Sequence, residues 1–166
     1  MSRAAAPALR PFLPADTPML AAIFAAAIEE LTGDDYNESQ QEAWAAIAVD
    51  EDAFGKKLAS ELTLIATVQS APVGFASLRG KDHIDMLYVH PGAAGQGVAS
   101  MLLDALEKLA GGRGAKSLTV DASDNAQGFF AKRGYVAKQR NSITINGEWL
   151  ANTTMQKTLS SGGGQS

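Results

Sequence analysis

Residues 83–106 read HIDMLYVHPGAAGQGVASMLLDAL, and the fold turns on them. A β-rich run from His83 to Val89 meets a loop holding Gly92, Gly95 and Gly97. The apolar spacing then lengthens, and Val98, Met101, Leu102, Ala105, Leu106 and Leu109 form one stripe of a helix. Gly111 and Gly112 end that helix, and Ser117 to Asp121 returns as a strand. A strand, crossover helix and strand of this kind form a parallel unit with a right-handed connection. The loop at its centre offers backbone N–H groups at the positive end of a helix dipole, an arrangement that binds phosphates. Glycine suits it because no side chain holds an anion away and positive φ is tolerated.

Upstream, Leu9 to Leu13 is a short strand closed by Pro14. Asp16 is expected to cap a helix whose stripe is Leu20, Ile23, Phe24, Ala27, Ile28 and Leu31, with Gly33 as its stop. Ser39 followed by Glu42 is a capping-box pattern for a second helix carrying Trp44 and Ile47, and a third helix carries Phe54 and Leu58. Leu62 to Val68 and Val73 to Leu78 read as a hairpin with Gln69 to Pro72 as its loop. Downstream, a short helix spans Ala126 to Lys132, with Ser123 and Asn125 as its capping residues and Gly134 as its end. Asn146-Gly147 predicts a two-residue type I′ turn, which sets Asn141 opposite Asn152 and Ile143 opposite Leu150. The expected fold is α/β of the α+β kind: a mixed, mostly antiparallel central sheet with helices on both faces and a C-terminal β-hairpin. One domain is expected over residues 1–159, and the SSGGGQS of residues 160–166 reads as a flexible tail.

The chain has 166 residues, 46% hydrophobic and 19% charged, enough for a single globular core. A net charge of −4 provides no basic surface for a phosphate backbone, so nucleic acid is not expected as a partner. Zero cysteines exclude thiol catalysis and thiolate metal sites, and with only His83 and His90 available no metal is expected. No run approaches the roughly 18 apolar residues of a membrane span, and the N-terminus lacks the apolar core of a signal peptide. A cytoplasmic protein without membrane partners is the expectation.

Three readings of the glycine loop compete. A P-loop needs Gly-Lys-Ser/Thr, whereas Val98 and Ala99 follow Gly97. A dinucleotide fold would use Gly95 and Gly97, with Asp121 as its ribose-binding acid. Against it stand Ser100 in place of the third glycine, eight residues between Val89 and Val98, and the antiparallel ending. The third reading is a resemblance. Leu87-Tyr88-Val89-His90-Pro91, then Gly95-Gln96-Gly97-Val98-Ala99 and Leu102-Leu103, resembles the acetyl-CoA motif of the GNAT N-acetyltransferases, where a Gln/Arg-x-x-Gly-x-Gly/Ala loop opens the central helix. Ala126-x-x-Phe129-Phe130-x-x-x-Gly134-Tyr135 is similar to that family's following helix, and the stretch from Arg140 to Leu159 to the ending of one of its subgroups.

The resemblance implies an acyl-CoA-dependent N-acetyltransferase with acetyl-CoA as cosubstrate. A small-molecule or peptide amine attacks directly, without a covalent enzyme intermediate. A homodimer stays an open alternative. The resemblance also implies cofactor contacts from Leu87, Val89, Ala94, Gly95, Gln96, Gly97, Val98, Ala99 and Ser100, then from Asn125, Phe129, Phe130 and Arg133. His83, Asp85, Leu87 and Val89 alternate onto one strand face. The resemblance implies a carboxylate near this strand's start that takes the amine's proton through water, which makes Asp85 and His83 the candidate bases, with the Val89 N–H as oxyanion donor. The alternative is that Asp85 pairs structurally and His83 is an exposed strand-end residue. Gly128 reads either as room for the pantetheine arm or as an unoptimised helix position. On the acceptor side, Tyr36 and Trp44 read either as an aromatic wall or as core. Asn141 and Asn152 either line a polar pocket or bond each other across the hairpin. Two positions depart from the family. Ala94 stands where it places Gln or Arg, and Phe130 where many members have a tyrosine that protonates the departing thiolate. A thiol of pKa about 8.5 leaving unaided at pH 7 forgoes roughly 2 kcal/mol, which slows the reaction without forbidding it. The two departures motivate the rival reading of a non-catalytic acyl-CoA sensor.

Overall fold

The computed structural model describes residues 6–159, and the expected tail at 160–166 lies outside them. In chain order the elements are β1 (Ala8–Pro11), α1 (Thr17–Leu31), α2 (Glu38–Ala45), α3 (Glu51–Ser60), β2 (Leu62–Val68), β3 (Ala71–Arg79), β4 (His83–Val89), α4 (Val98–Gly112), β5 (Ser117–Ser123), α5 (Gln127–Lys132), β6 (Val136–Ile145) and β7 (Glu148–Thr158). The strands form one sheet in the order β1-β2-β3-β4-β5-β7-β6. Only β4 and β5 run parallel, as a helical crossover between them requires; the other neighbours are antiparallel.

Apolar side chains on the two sheet faces bury separate cores. On one face Leu102 and Leu106 of α4 and Phe130 of α5 pack on Leu78, Ile84 and Leu118. On the other, Phe24 and Ile28 of α1 and Phe54 and Leu58 of α3 cover Ile65 and Phe75. Each such side chain contributes about 1.5–3 kcal/mol relative to exposure. Among the described residues, no helix is long and apolar enough to cross a membrane.

The expected mixed sheet, the crossover and the hairpin register are all present. Asn146 (φ 46°) and Gly147 (φ 85°) make the turn, with Asn141 opposite Asn152 and Ile143 opposite Leu150. Local signals moved elsewhere. Asp16 does not cap α1 through its side chain; it accepts from the Leu13 N–H (2.8 Å) and pairs with Arg10 (2.7 Å), fastening the end of β1. The capping box of α2 is Asn37 with Gln40, not Ser39 with Glu42, because the chain turns two residues earlier, just after the buried Tyr36. The β2–β3 turn is shorter than expected. Gln69 and Ser70 alone make it, both at positive φ, and Ala71 and Pro72 belong to β3. Leu31 and Leu109 are exposed, while Ala110 joins the core on the row of α4 that runs Val98, Leu102, Leu106 and Ala110 in steps of four, and Leu103 is buried beside that row. Neither Ser123 nor Asn125 caps α5 with a side chain; the Ser123 carbonyl takes the Ala126 N–H instead (3.0 Å).

Candidate active site

The site begins with an irregularity in β4. Ser77 pairs with Met86 but Leu78 pairs with Ile84, so Asp85 is the extra residue of a β-bulge. A bulge re-aims side chains, and here it splits the single face expected for His83, Asp85, Leu87 and Val89. Leu87 and Val89 pack against the α4 core, whereas His83 and Asp85 line a cavity on the α1–α3 side.

Beyond Ile84 the parallel strands part. Their pairing covers only His83–Thr119 and Ile84–Val120, and β5 then stays with β7. The His90 N–H donates to the Val73 carbonyl (2.8 Å), which fixes the phase of the β3–β4 ladder. Alternation makes Tyr88–Phe75 and Met86–Ser77 the hydrogen-bonded pairs, so the N–H groups of Leu87 and Val89 point away from β3 into the gap toward β5. Met86, Leu87, Ala122, Ser123 and Phe130 wall this cleft, and past Val89 it runs on to Asn125 at the head of α5.

The glycine loop follows. His90 Nδ1 accepts from the Gly92 N–H (3.0 Å), and the Ala94 N–H is already engaged by the Pro91 carbonyl (3.1 Å). Gly95 (φ 78°) and Gly97 (φ 81°) are left-handed, with open space where a Cβ would stand. Gly97 is the N-cap of α4, so the N–H groups of Val98, Ala99 and Ser100 head the helix with no capping side chain. The Gln96 side chain turns back to the Gly92 carbonyl (3.4 Å), and Ala94 brings no polar group. Phe130 is buried between Phe129 and Tyr135, each ring centroid 5.3 Å away, and walls the cleft. Asn125 is exposed at the far end of the cleft, and Gly128 faces open space. Arg133, expected to be available to a phosphate, is paired with Asp104 of α4.

The cavity beside β4 holds about 400 Å3. Trp44, Tyr36 and Tyr88 wall it on the helical side, and Ile143, Ile145 and Leu150 on the hairpin side. Tyr36 is core and wall together: it is buried, its hydroxyl donates to the Ala151 carbonyl (2.6 Å) and accepts from the Asp124 N–H (2.9 Å). Asn141 donates to Asn152 Oδ1 (2.9 Å) and Thr154 Oγ1 (2.8 Å), so the two asparagines bond each other; only Asn152 lines the cavity.

At the polar end, Asp85 takes Lys57 Nζ at 2.8 Å and Arg79 Nη1 at 3.3 Å. Burial would raise the Asp85 carboxyl, but Lys57, a hydrogen bond with Glu61 and the Arg79 charge outweigh it and hold it below the usual range. Burial, reinforced by Asp85, pushes Glu61 up. His83 Nδ1 lies 2.8 Å from Thr119 Oγ1, and Nε2 lies 4.0 Å from Asp121 Oδ2. Thr154 donates to the other oxygen of Asp121 (2.6 Å). Burial, with Arg79 alongside, lowers the His83 imidazole below its ordinary value. Lys57, Glu61, Arg79, Ser123 and this placement of Asp121 are additions to the sequence-derived set. Lys57 and Glu61 carry a local signal as an (i, i+4) pair, but nothing local sets them beside Asp85.

Residues 32–159 match the family described as Acetyltransferase (GNAT) domain. The chain belongs to the GNAT family. The uncharacterized N-acetyltransferase YafP of Escherichia coli is 36% identical over 148 residues, covering 89% of this chain and 93% of its own. A GCN5-related N-acetyltransferase from Rhodopseudomonas palustris, which also bears the name aminotransferase, class-II, is 67% identical with a TM-score of 0.92, over 96% of this chain and 99% of its own. The PaiA N-acetyltransferase of Thermoplasma acidophilum, solved with coenzyme A, shares the fold at 18% identity and a TM-score of 0.76, over 92% of this chain and 99% of its own. The mixed sheet is thus the GNAT sheet, and N-acetyltransferase is the enzyme class that accompanies it.

Proposed function

We propose that this GNAT domain, spanning residues 1–159, transfers an acetyl group from acetyl-CoA to a primary amine by direct attack. The observation that carries the reading is the gap between β4 and β5, with the Leu87 and Val89 N–H groups facing into it, at the strand end from which the glycine loop leads into the uncapped start of α4. A phosphate cradle at one end and hydrogen-bond donors at the other suit a long carrier with a diphosphate and a thioester. The coenzyme A seen in the Thermoplasma relative supports the same assignment.

In this reading the amides from Gly95 to Ser100 hold the diphosphate, and Ala94 contributes nothing through its side chain. Asn125, Phe129 and Phe130 border the arm, while Arg133 serves α4 through Asp104. Acetyl-CoA supplies the activated acyl carbon and a thiolate leaving group. The Val89 N–H, with that of Leu87, is aimed to stabilise the oxyanion as the amine adds. His83 is the base. Its Nδ1–H donates to Thr119 Oγ1, whose own hydroxyl reaches the Asp82 carbonyl (3.4 Å), leaving the Nε2 lone pair free. His83 stands four and six residues along β4 from Leu87 and Val89, so that lone pair takes the amine's proton through water. Asp121 then faces the imidazolium. Asp85, the other candidate, is a weak proton acceptor between two cations and acts by fixing Lys57 and Arg79. Phe130 has no proton to give, so the thiolate takes one from solvent.

Calorimetric titration with CoA and desulfo-CoA, followed by thiol-release assays over a broad amine panel, tests the reading. Saturable binding and amine-dependent thiol release are expected. No heat would remove the carrier; binding without any amine-dependent release would favour the acyl-CoA sensor.

A further inference from the structure

We infer that the acceptor is a free α-amino acid with an aromatic or large apolar side chain, its carboxylate held by Arg79 and its amine within reach of His83 through water. This deepens the acetyltransferase reading and rests on it. The cavity beside β4 has the size for a small molecule, about 400 Å3. Its walls form a slot. Trp44 lies edge-on to Tyr36 (5.3 Å between centroids) and to Tyr88 (6.4 Å), and Ile143, Ile145 and Leu150 face them from the hairpin. A flat apolar body fits between aromatic rings and aliphatic side chains.

The polar end supplies the other two groups. Arg79 and His83 are directly opposed in the β3–β4 ladder and both line the cavity. Opposed residues set their Cβ atoms about 4.5–5.5 Å apart. That matches a ligand whose anion and amine sit on one carbon. The Arg79 guanidinium is 59% exposed and touches Asp85 through Nη1 alone, leaving most of its planar fork open to a second carboxylate. Asp85 is shared with Lys57, which also pairs with Glu61 (3.5 Å), so Lys57 answers the carboxylates on its side and does not compete for a ligand anion at Arg79. A peptide lysine would bring neither an anion to Arg79 nor a flat body to the slot.

Steady-state kinetics with acetyl-CoA test the inference on a matched series: phenylalanine and tryptophan, their decarboxylated counterparts phenethylamine and tryptamine, phenylalanine amide, and a lysine-containing peptide. The amino acids should exceed their decarboxylated counterparts in kcat/KM by tenfold or more, with the difference mainly in KM. Arg79→Gln should bring that ratio close to one. Calorimetry with CoA reports whether the variant is folded, and should it not be, the wild-type series decides alone. Decarboxylated amines performing as well as the amino acids, the lysine peptide performing best, or turnover of none of these compounds by protein that binds acetyl-CoA would overturn the inference. Absence of acetyl-CoA binding by the wild type would instead overturn the reading beneath it.

Discussion

His83 and Asp85 lie two positions apart on one strand, yet their surroundings drive their proton chemistry apart. His83 is partly desolvated beside Arg79, and its lowered pKa keeps the imidazole neutral to below the ordinary 6.5. A base must be neutral to act, and so must the attacking amine. Below the amine's own pKa, log kcat/KM should therefore rise with unit slope per pH unit, steepening to a slope of two only below His83's pKa, under pH 6.5. His83→Gln should lower the rate and abolish the steep limb; a wild-type profile in that variant would return the proton to water. Asp85 works through charge pairing. Its folded-state pKa is depressed, so its stabilisation is present above the unfolded carboxylate value and vanishes as pH falls through the folded one. Asp85→Asn should cost about 1–2 kcal/mol near neutral pH, a figure discounted because Lys57 and Arg79 are partly solvated. Urea unfolding should show that difference shrinking as the pH falls below the ordinary carboxylate range.

The glycines of the loop and of α5 have different jobs, and the backbone tells them apart. Gly97 sits at φ 81° with open space around it, so Gly97→Ala meets no neighbour but strains the backbone by about 1 kcal/mol and sets a methyl group by the free amides of α4. CoA affinity should fall at least tenfold by calorimetry. Gly128 is helical and open, so Gly128→Ala should raise stability by about 0.5–1 kcal/mol in the unliganded protein. It should also weaken CoA binding where the pantetheine arm passes; unchanged affinity would take the arm off that helix. The glycine loop, the stripe that starts α4 and the register of the last hairpin were all legible in the sequence, because each is written in adjacent residues. The bulge at Asp85 was not. It is set by pairing with Ser77 and Leu78 on another strand, and without it strict alternation put His83, Asp85, Leu87 and Val89 on one face. The cap of α2 failed differently. Asn37–Gln40 and Ser39–Glu42 satisfy the same pattern two residues apart, and burial of Tyr36 selects the first. Arg79, Lys57 and Glu61 reach the site only through the pairing of β3 with β4 and the packing of α3 beneath β2.

Across the whole molecule, the cavity proposed for the acceptor is closed by two parts of the chain more than a hundred residues apart. Helices α1 and α2 form one side and the β6–β7 hairpin the other, and polar clamps join them. Tyr36 donates to the Ala151 carbonyl, the Gln40 amide to the Trp149 carbonyl (2.6 Å) and the Asn146 amide to the Ala43 carbonyl (2.7 Å). The proposed carrier path between β4 and β5 includes none of the hairpin, so donor and acceptor binding should be separable. Asn146→Gly isolates this. Glycine accepts the positive φ of the turn at least as readily as asparagine, so the turn persists while the bond to Ala43 is lost. Removing one such bond should cost about 1 kcal/mol of stability by urea unfolding. With the hairpin freer to move from Trp44, the wall of Ile143, Ile145 and Leu150 is less well set against the rings, and the acceptor's KM should rise several-fold. The affinity for CoA should stay at its wild-type value. A parallel loss of both affinities would mean that the hairpin and the carrier path move as one body, and a KM unchanged beside the lost stability would mean that Tyr36 and Gln40 hold the wall without Asn146.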